Sequence, residues 1–224
     1  MKRPKNIYIV RHGESEANVN RLVLCKKPDY AINLTPKGEV QAQEAGKILT
    51  CKIGTAPIAC YSSPFFRAKQ TLFNIKKAFV PSKVLWTYED IRLREQEYGN
   101  FQKEDMSDYE RERLAYGSFF YRFPLGESGG DVYNRCSGFL ETLYRDFNKP
   151  NCPDDIVIVS HGFTIRVLLA RWLHIDFVEF QRMNNPKNCQ IIQLTTDPDG
   201  KYRLTKELSK TRGVPYEYQD NPNS

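Results

Sequence analysis

Ile7-Tyr8-Ile9-Val10-Arg11-His12-Gly13 and Ile156-Val157-Ile158-Val159-Ser160-His161-Gly162 share one build. Each has four residues suited to a buried strand, one polar residue, then histidine and glycine. Short apolar runs that do not alternate with polar residues read as strands covered on both faces, the pattern of parallel sheets. Two more such runs are Ile58 to Tyr61 and Ile191 to Leu194. Between the runs lie longer helical patterns. One opens at Thr35-Pro36 and continues through Ala42, Ala45 and Leu49. A second opens at Ser63-Pro64 and carries Phe65, Ala68, Leu72, Ile75 and Phe79. A third places Val132, Cys136, Phe139, Leu140, Leu143 and Phe147 together, and a fourth Ile165, Leu168, Leu169 and Trp172. This alternation predicts an α/β fold of three layers, a mostly parallel sheet with helices on both faces. Ligands of such sheets bind beyond the carboxyl ends of the strands, where His12 and His161 would emerge.

The rest of the chain limits the alternatives. Its 224 residues are 40% hydrophobic and 27% charged, which fits one domain spanning 1–224 and excludes disorder, collagen and coiled coil. The net charge is +6, but the 33 basic and 27 acidic residues are interspersed. That balance suits a small anionic substrate better than a nucleic-acid track. Six cysteines without a C-x-x-C pair read as reduced packing thiols, neither a disulfide framework nor a zinc site. The apolar stretch near the start is only four residues, too short for a signal-peptide core or a membrane span, so a cytoplasmic protein is expected. A charged, aromatic segment at about 100–128 belongs to none of the strand–helix units. It reads as an inserted lid, helical around Tyr109 to Leu114. A polar tail occupies about 208–224.

Arginines indicate what the histidines face. Arg11 adjoins His12, and Arg67 lies near the start of its helix, where side chains lean back toward the preceding strand end. Two guanidiniums and two imidazoles describe a phosphate pocket. On spacing alone Arg67 reads equally as a solvated helix residue, and a lone histidine is more often packed than catalytic. Two His-Gly strand ends in a chain with three histidines shift that balance. The third, His174, reads as a residue at a helix C-terminus.

Arg11-His12-Gly13-Glu14-Ser15, Leu34-Thr35-Pro36-Lys37-Gly38, Tyr61-Ser62-Ser63-Pro64 with Arg67-Ala68 and Thr71, Leu93-Arg94-Glu95 and Ser160-His161-Gly162 occur in this order. Together they resemble the histidine phosphatase superfamily, the group with the phosphoglycerate mutase-like fold. The resemblance runs from residue 7 to about residue 194. It implies His12 as the nucleophile, phosphorylated on the ring nitrogen remote from Cβ. It implies Arg11, Arg67 and His161 as holders of the transferring phosphoryl group, Asn18 as a further phosphate ligand and Glu95 as proton donor and acceptor. On its own Glu95 reads as a surface charge among Glu89, Asp90 and Glu97. Such a site calls for no metal and no cofactor. His12 must be neutral to attack and His161 serves best protonated, so their environments are expected to differ.

Phosphatase and mutase are harder to separate. The mutase pattern after the acid resembles Asn-Glu-Arg-His-Tyr-Gly, whereas this chain has Arg94-Glu95-Gln96-Glu97-Tyr98-Gly99, with Gln96 and Glu97 at the two basic positions. Gly99 to Gln102 and Phe120 to Ser128 resemble the branch of broad-range acid phosphatases and plant phosphoglycerate mutase-like proteins. A phosphatase of small phosphate monoesters is therefore expected. A phosphoglycerate mutase or sugar-bisphosphate phosphatase, and a catalytically silent phosphate-binding module, are the alternatives. Arg111, Arg113, Arg122 and the lid aromatics could clamp a substrate or merely pack on the sheet edge. Lys26 and Lys27 could draw polyphosphorylated ligands by their field. The oligomeric state is not legible.

Overall fold

Side chains along a strand point alternately to the two faces of its sheet, and the apolar runs of this chain fill both. In the computed structural model, which describes residues 3–210, the strands are β1 (Asn6–Arg11), β2 (Ile58–Ser62), β3 (Val84–Glu89), β4 (Asp155–Ser160), β5 (Ile191–Thr196) and β6 (Tyr202–Leu204). They form one sheet in the order β3-β2-β4-β1-β5-β6. The first four are parallel, while β5 runs antiparallel to β1 and β6 antiparallel to β5. The helices are α1 (Glu16–Val19), α2 (Pro36–Ile53), α3 (Phe66–Lys76), α4 (Ser107–Tyr116), α5 (Gly129–Asp146), α6 (Gly162–Leu173) and α7 (Phe177–Arg182).

Ile7, Ile9, Tyr61, Ile156 and Ile158 pack with α5 and α6; Tyr8, Val10, Cys60, Val157 and Val159 pack with α2 and α3. The sheet is thus the middle of three layers. Thr35 caps α2, its hydroxyl accepting the Gly38 amide (3.1 Å) ahead of Pro36. Helix α3 starts at Phe66, two residues after the Ser63-Pro64 start read from sequence, because the Ser63 hydroxyl is engaged elsewhere and Phe65 takes the cap position. Strands β3 and β6 escaped the sequence pattern. Strand β3 lies at the sheet edge with mostly exposed side chains, so it needs no apolar run, and β6 has three residues. Among the described residues no disulfide joins the six cysteines, three of which are buried. Leu208 is buried in the α5–α6 layer, so the tail does not begin as solvent-exposed chain there. The remainder of that tail, 211–224, lies outside the described residues.

The pairing that fixes the site is β1 with β4. Asn6 lies beside Asp155 and Arg11 beside Ser160, a constant offset of 149 residues. That register carries His12 beside His161. Parallel strands lie about 4.8 Å apart, and the two imidazole centroids are 5.1 Å apart.

Gly13 serves this geometry through close packing. A Cβ on Gly13 would lie 2.5 Å from the Gly38 carbonyl oxygen, and one on Gly38 would overlap that of Glu14. The backbone after β1 and the first turn of α2 therefore touch directly. Gly38→Ala should cost about 1–3 kcal/mol of stability in urea unfolding; an unchanged midpoint would show that the two segments have room to separate.

Candidate active site

A cavity of about 320 Å³ opens at the carboxyl ends of β1 and β4, lined by Arg11, His12, Asn18, Arg67 and Glu95 among others. His161 is fully buried beside it, its ring also edge-on to Phe65. The six residues singled out in the sequence are thus brought to one place from five separate segments.

Hydrogen bonding fixes the state of His12. The Arg67 Nε–H meets its Nε2 at 3.3 Å, and a guanidinium can only donate. Nε2 is therefore an unprotonated acceptor. Nδ1 carries the proton and donates to the Gly13 carbonyl at 2.7 Å. Burial holds the imidazole well below its ordinary pKa of 6.5, and the Arg67 and Arg11 charges lower it further.

His161 differs from the protonated state expected of it. Complete burial pushes its pKa down as well, with Arg67, His12, Arg135 and Arg11 adding to the shift. Burial first, and the same guanidiniums second, disfavour the charged form of both rings. His161 Nε2 lies 2.8 Å from the Ser63 hydroxyl, which also accepts the Phe65 amide. The direction of that bond follows the ring's tautomer: where the hydroxyl donates to Nε2, Nδ1–H is the ring's donor. Nδ1 of His161 and Nε of Arg11 are buried without a hydrogen-bond partner among the described residues. Both can serve an anion.

The Arg11 Nη1 is anchored on the Pro186 carbonyl (2.7 Å). The Asn18 side-chain oxygen accepts the Ser15 amide (3.1 Å) and an amide hydrogen of Asn188 (3.1 Å), which leaves the Asn18 NH2 as a donor toward the cavity. Among the described residues no three His, Cys, Asp or Glu side chains gather as metal ligands. The positive charge here is that of guanidiniums.

Glu95 sits over the start of α6. Its Oε1 accepts the Thr164 amide (3.1 Å) and the Gln96 amide (3.0 Å) and lies 3.0 Å from the Thr164 hydroxyl, whose one proton has a closer acceptor in the Arg94 carbonyl (2.7 Å); among the described residues Oε2 accepts the Phe163 amide alone (3.3 Å). The loop bearing Glu95 is clamped by Arg135. That guanidinium donates to the carbonyls of Arg92 (2.6 Å), Arg94 (2.9 Å) and Glu95 (3.1 Å), and Glu127 holds it from the other side. Ser160, at the end of β4, donates to the Leu93 carbonyl (2.8 Å) and ties the same loop to the sheet.

The 100–128 segment does reach the cavity, through Gln102, Glu110 and Arg113 of its first half. Glu110 accepts from Arg113 (2.8 Å) and faces Arg21 (3.5 Å). The other lid arginines do not take part: Arg111 pairs with Asp108 in solvent and Arg122 with Asp131. Phe123 is fully buried and Phe119 packs on Phe180, so these lid aromatics are core. Lys27 is neutralised by Glu16 (2.7 Å), which removes much of the field expected from the Lys26–Lys27 pair. Sequence reasoning missed Asp29 and Arg135, and it read Ser63 as a helix start without its link to His161. Each acts through another side chain or a backbone carbonyl, and no spacing rule marks such a residue.

A profile of the histidine phosphatase superfamily (branch 1) matches residues 7–207. The phosphoglycerate mutase-like protein AT74 of Arabidopsis thaliana is 42% identical over 94% of this chain and 72% of its own length. The broad-range acid phosphatase DET1 of Saccharomyces cerevisiae is 30% identical over 93% and 90%. A mycobacterial glucosyl-3-phosphoglycerate phosphatase solved with vanadate superposes with a TM-score of 0.73 at 24% identity, covering 92% of this chain and 100% of that one. The chain belongs to the histidine phosphatase superfamily.

Proposed function

We propose that this protein is a metal-independent phosphatase that hydrolyses phosphate monoesters of small molecules through a phosphohistidine at His12. One observation carries the reading: an imidazole whose Nδ1–H is held by the Gly13 carbonyl has its unprotonated Nε2 beside the Arg11, Arg67 and His161 donors, with Arg67 Nε–H donating to it. As phosphate enters, the Arg67 Nε–H passes from Nε2 to a phosphoryl oxygen; Nε2 then attacks phosphorus as the bond to the leaving oxygen breaks, and a protonated Glu95 gives that alkoxide its proton. Oε2 is the oxygen suited to this, since Oε1 already accepts two backbone amides. Water then breaks the phosphorus–nitrogen bond while Glu95 takes a proton from it, and His12 is regenerated. The fixed cationic donors stabilise the equatorial oxygens without reorganising.

Phosphatase is favoured over mutase by the residues after Glu95. Gln96 is buried and donates to the Glu127 carbonyl (2.9 Å), and the Glu97 amide donates to the Glu127 carboxylate (3.1 Å). These positions are spent on the scaffold, and neither supplies a cation for a sugar-acid carboxylate. The acid phosphatase relative points the same way.

The protein should hydrolyse p-nitrophenyl phosphate with chelator present and should not isomerise phosphoglycerate, with or without bisphosphoglycerate. His12→Ala should abolish both turnover and 32P labelling from substrate; a labelled variant would move the nucleophile elsewhere. Glu95→Gln should slow esters of aliphatic alcohols roughly 100- to 10,000-fold, and nitrophenyl phosphate far less. Equal losses would make Glu95 structural.

The buried neutral histidines also set a pH dependence. Their folded pKa values lie below 6.5, so below that pH the unfolded chain binds more protons and stability falls as pH falls. His161→Gln should flatten the slope of unfolding free energy by up to about 1.4 kcal/mol per pH unit between about pH 5 and 6. Identical slopes in the two proteins would show that His161 is protonated in the fold.

A further inference from the structure

Arg67 meets the nucleophile with a single nitrogen. Its Nη1 donates to Asp29 Oδ1 (2.8 Å) and to the Asp29 carbonyl (2.7 Å), and its Nη2 to Oδ2 (3.2 Å). The end-on fork, Nη1 with Nη2, is filled by a carboxylate. Two of the five N–H donors are left, Nε–H and the second hydrogen of Nη2, and Nε–H is the one that meets His12. The pair is well shielded, with side-chain exposures of 5% for Arg67 and 20% for Asp29, and Asp29 itself lines the catalytic cavity.

Asp29 is also held in place. The Arg67 amide donates to the Ile32 carbonyl (3.1 Å). Gln70, one turn along α3, accepts the Leu34 amide (2.8 Å) and donates to the Asn33 side chain (3.0 Å). Tyr30 packs edge-on to Phe66. Neither member of the pair can drift without breaking these contacts.

We propose that Asp29 is a positioning residue for phosphoryl transfer: it locks the Arg67 guanidinium so that one N–H is aimed at the nucleophile, and it weakens the grip of Arg67 on free phosphate. The proposal rests on the reading of His12 as nucleophile. Removing the carboxylate has two effects of opposite sign. The cavity wall loses a negative charge and gains a free fork, so anions bind more tightly. The guanidinium loses its fixed orientation, so the transition state is stabilised less.

The test is Asp29→Asn, which keeps size and one acceptor oxygen, assayed for p-nitrophenyl phosphate turnover and for inhibition by inorganic phosphate. The expected result is kcat lowered about 10-fold or more with the phosphate inhibition constant lowered about 5-fold. Weaker phosphate inhibition together with lower kcat would make Asp29 merely structural, and no change in either would overturn the proposal as well. Should Asp29→Asn not fold, Asp29→Glu carries the test, since it keeps the charge and shifts the fork by one methylene. There kcat should fall while phosphate inhibition stays within about twofold; an undiminished kcat or tighter inhibition would refute the assignment. Labelling of wild-type His12 separates the two levels: labelling with silent Asp29 variants removes only this proposal, whereas absence of labelling removes the catalytic reading beneath it.

Discussion

The parallel pairing of β1 with β4 is the constraint on which the rest of the site depends. It is a backbone ladder, set by the fit of Ile7, Ile9, Ile156 and Ile158 against one helical layer and Tyr8, Val10, Val157 and Val159 against the other. Because side chains alternate faces, a slip of one residue would turn every one of these to the wrong layer. The hydrophobic core therefore enforces the register, and the register places His12 and His161 a strand spacing apart. The two histidines need no contact of their own to find each other.

What the register brings together is electrostatically uncomfortable. Two imidazoles and the guanidiniums of Arg11 and Arg67 lie close together, with both histidines and Arg67 buried. Burial and these charges push both histidine pKa values down, and Arg67 pairs with Asp29. In the proposed reaction a phosphoryl dianion would bring negative charge to this cluster, so part of its binding would be relief of that repulsion. An uncharged His161 would still have one N–H to offer, which is what a hydrogen-bond donor needs. The expectation of one neutral and one charged histidine treated the rings as separate, whereas the same arginines act on both.

The legible part of the molecule was the part governed by period and strand-end chemistry. Buried strands announce themselves by unbroken apolar runs, and a His-Gly at the end of two of them marks the working edge of the sheet. Thr35-Pro36 marks the start of α2 because capping is local. Strand β3 was not legible, since an edge strand that exposes Leu85, Thr87 and Tyr88 carries no burial signal. Asp29 and Arg135 were not legible either, nor was the contact of Ser63, read only as a helix start, with His161. Their partners are 38, about 40 and 98 residues away, and only the folded chain supplies the neighbour that gives each its task. The lid arginines show the converse. Arg111, Arg113 and Arg122 are alike in sequence, yet only Arg113 faces the cavity, a distinction set by the rotation of one short helix and the turn after it.

The two ends of the cavity differ in a way that bears on what it can accept. At the phosphoryl end the donors are fixed and positive, and their chemistry is indifferent to what the phosphate is attached to. At the far wall Glu110 lies between Arg21 and Arg113, with Gln102 and Tyr98 nearby. That wall carries two guanidiniums against one carboxylate, so one positive charge is left over there. Its amide and phenol add donors and acceptors, which hydroxyl groups satisfy in many arrangements. In the phosphatase proposed above, an anion clamp at one end and a polar wall of residual positive charge at the other would suit phosphate esters whose remaining part carries hydroxyls or a further anionic group.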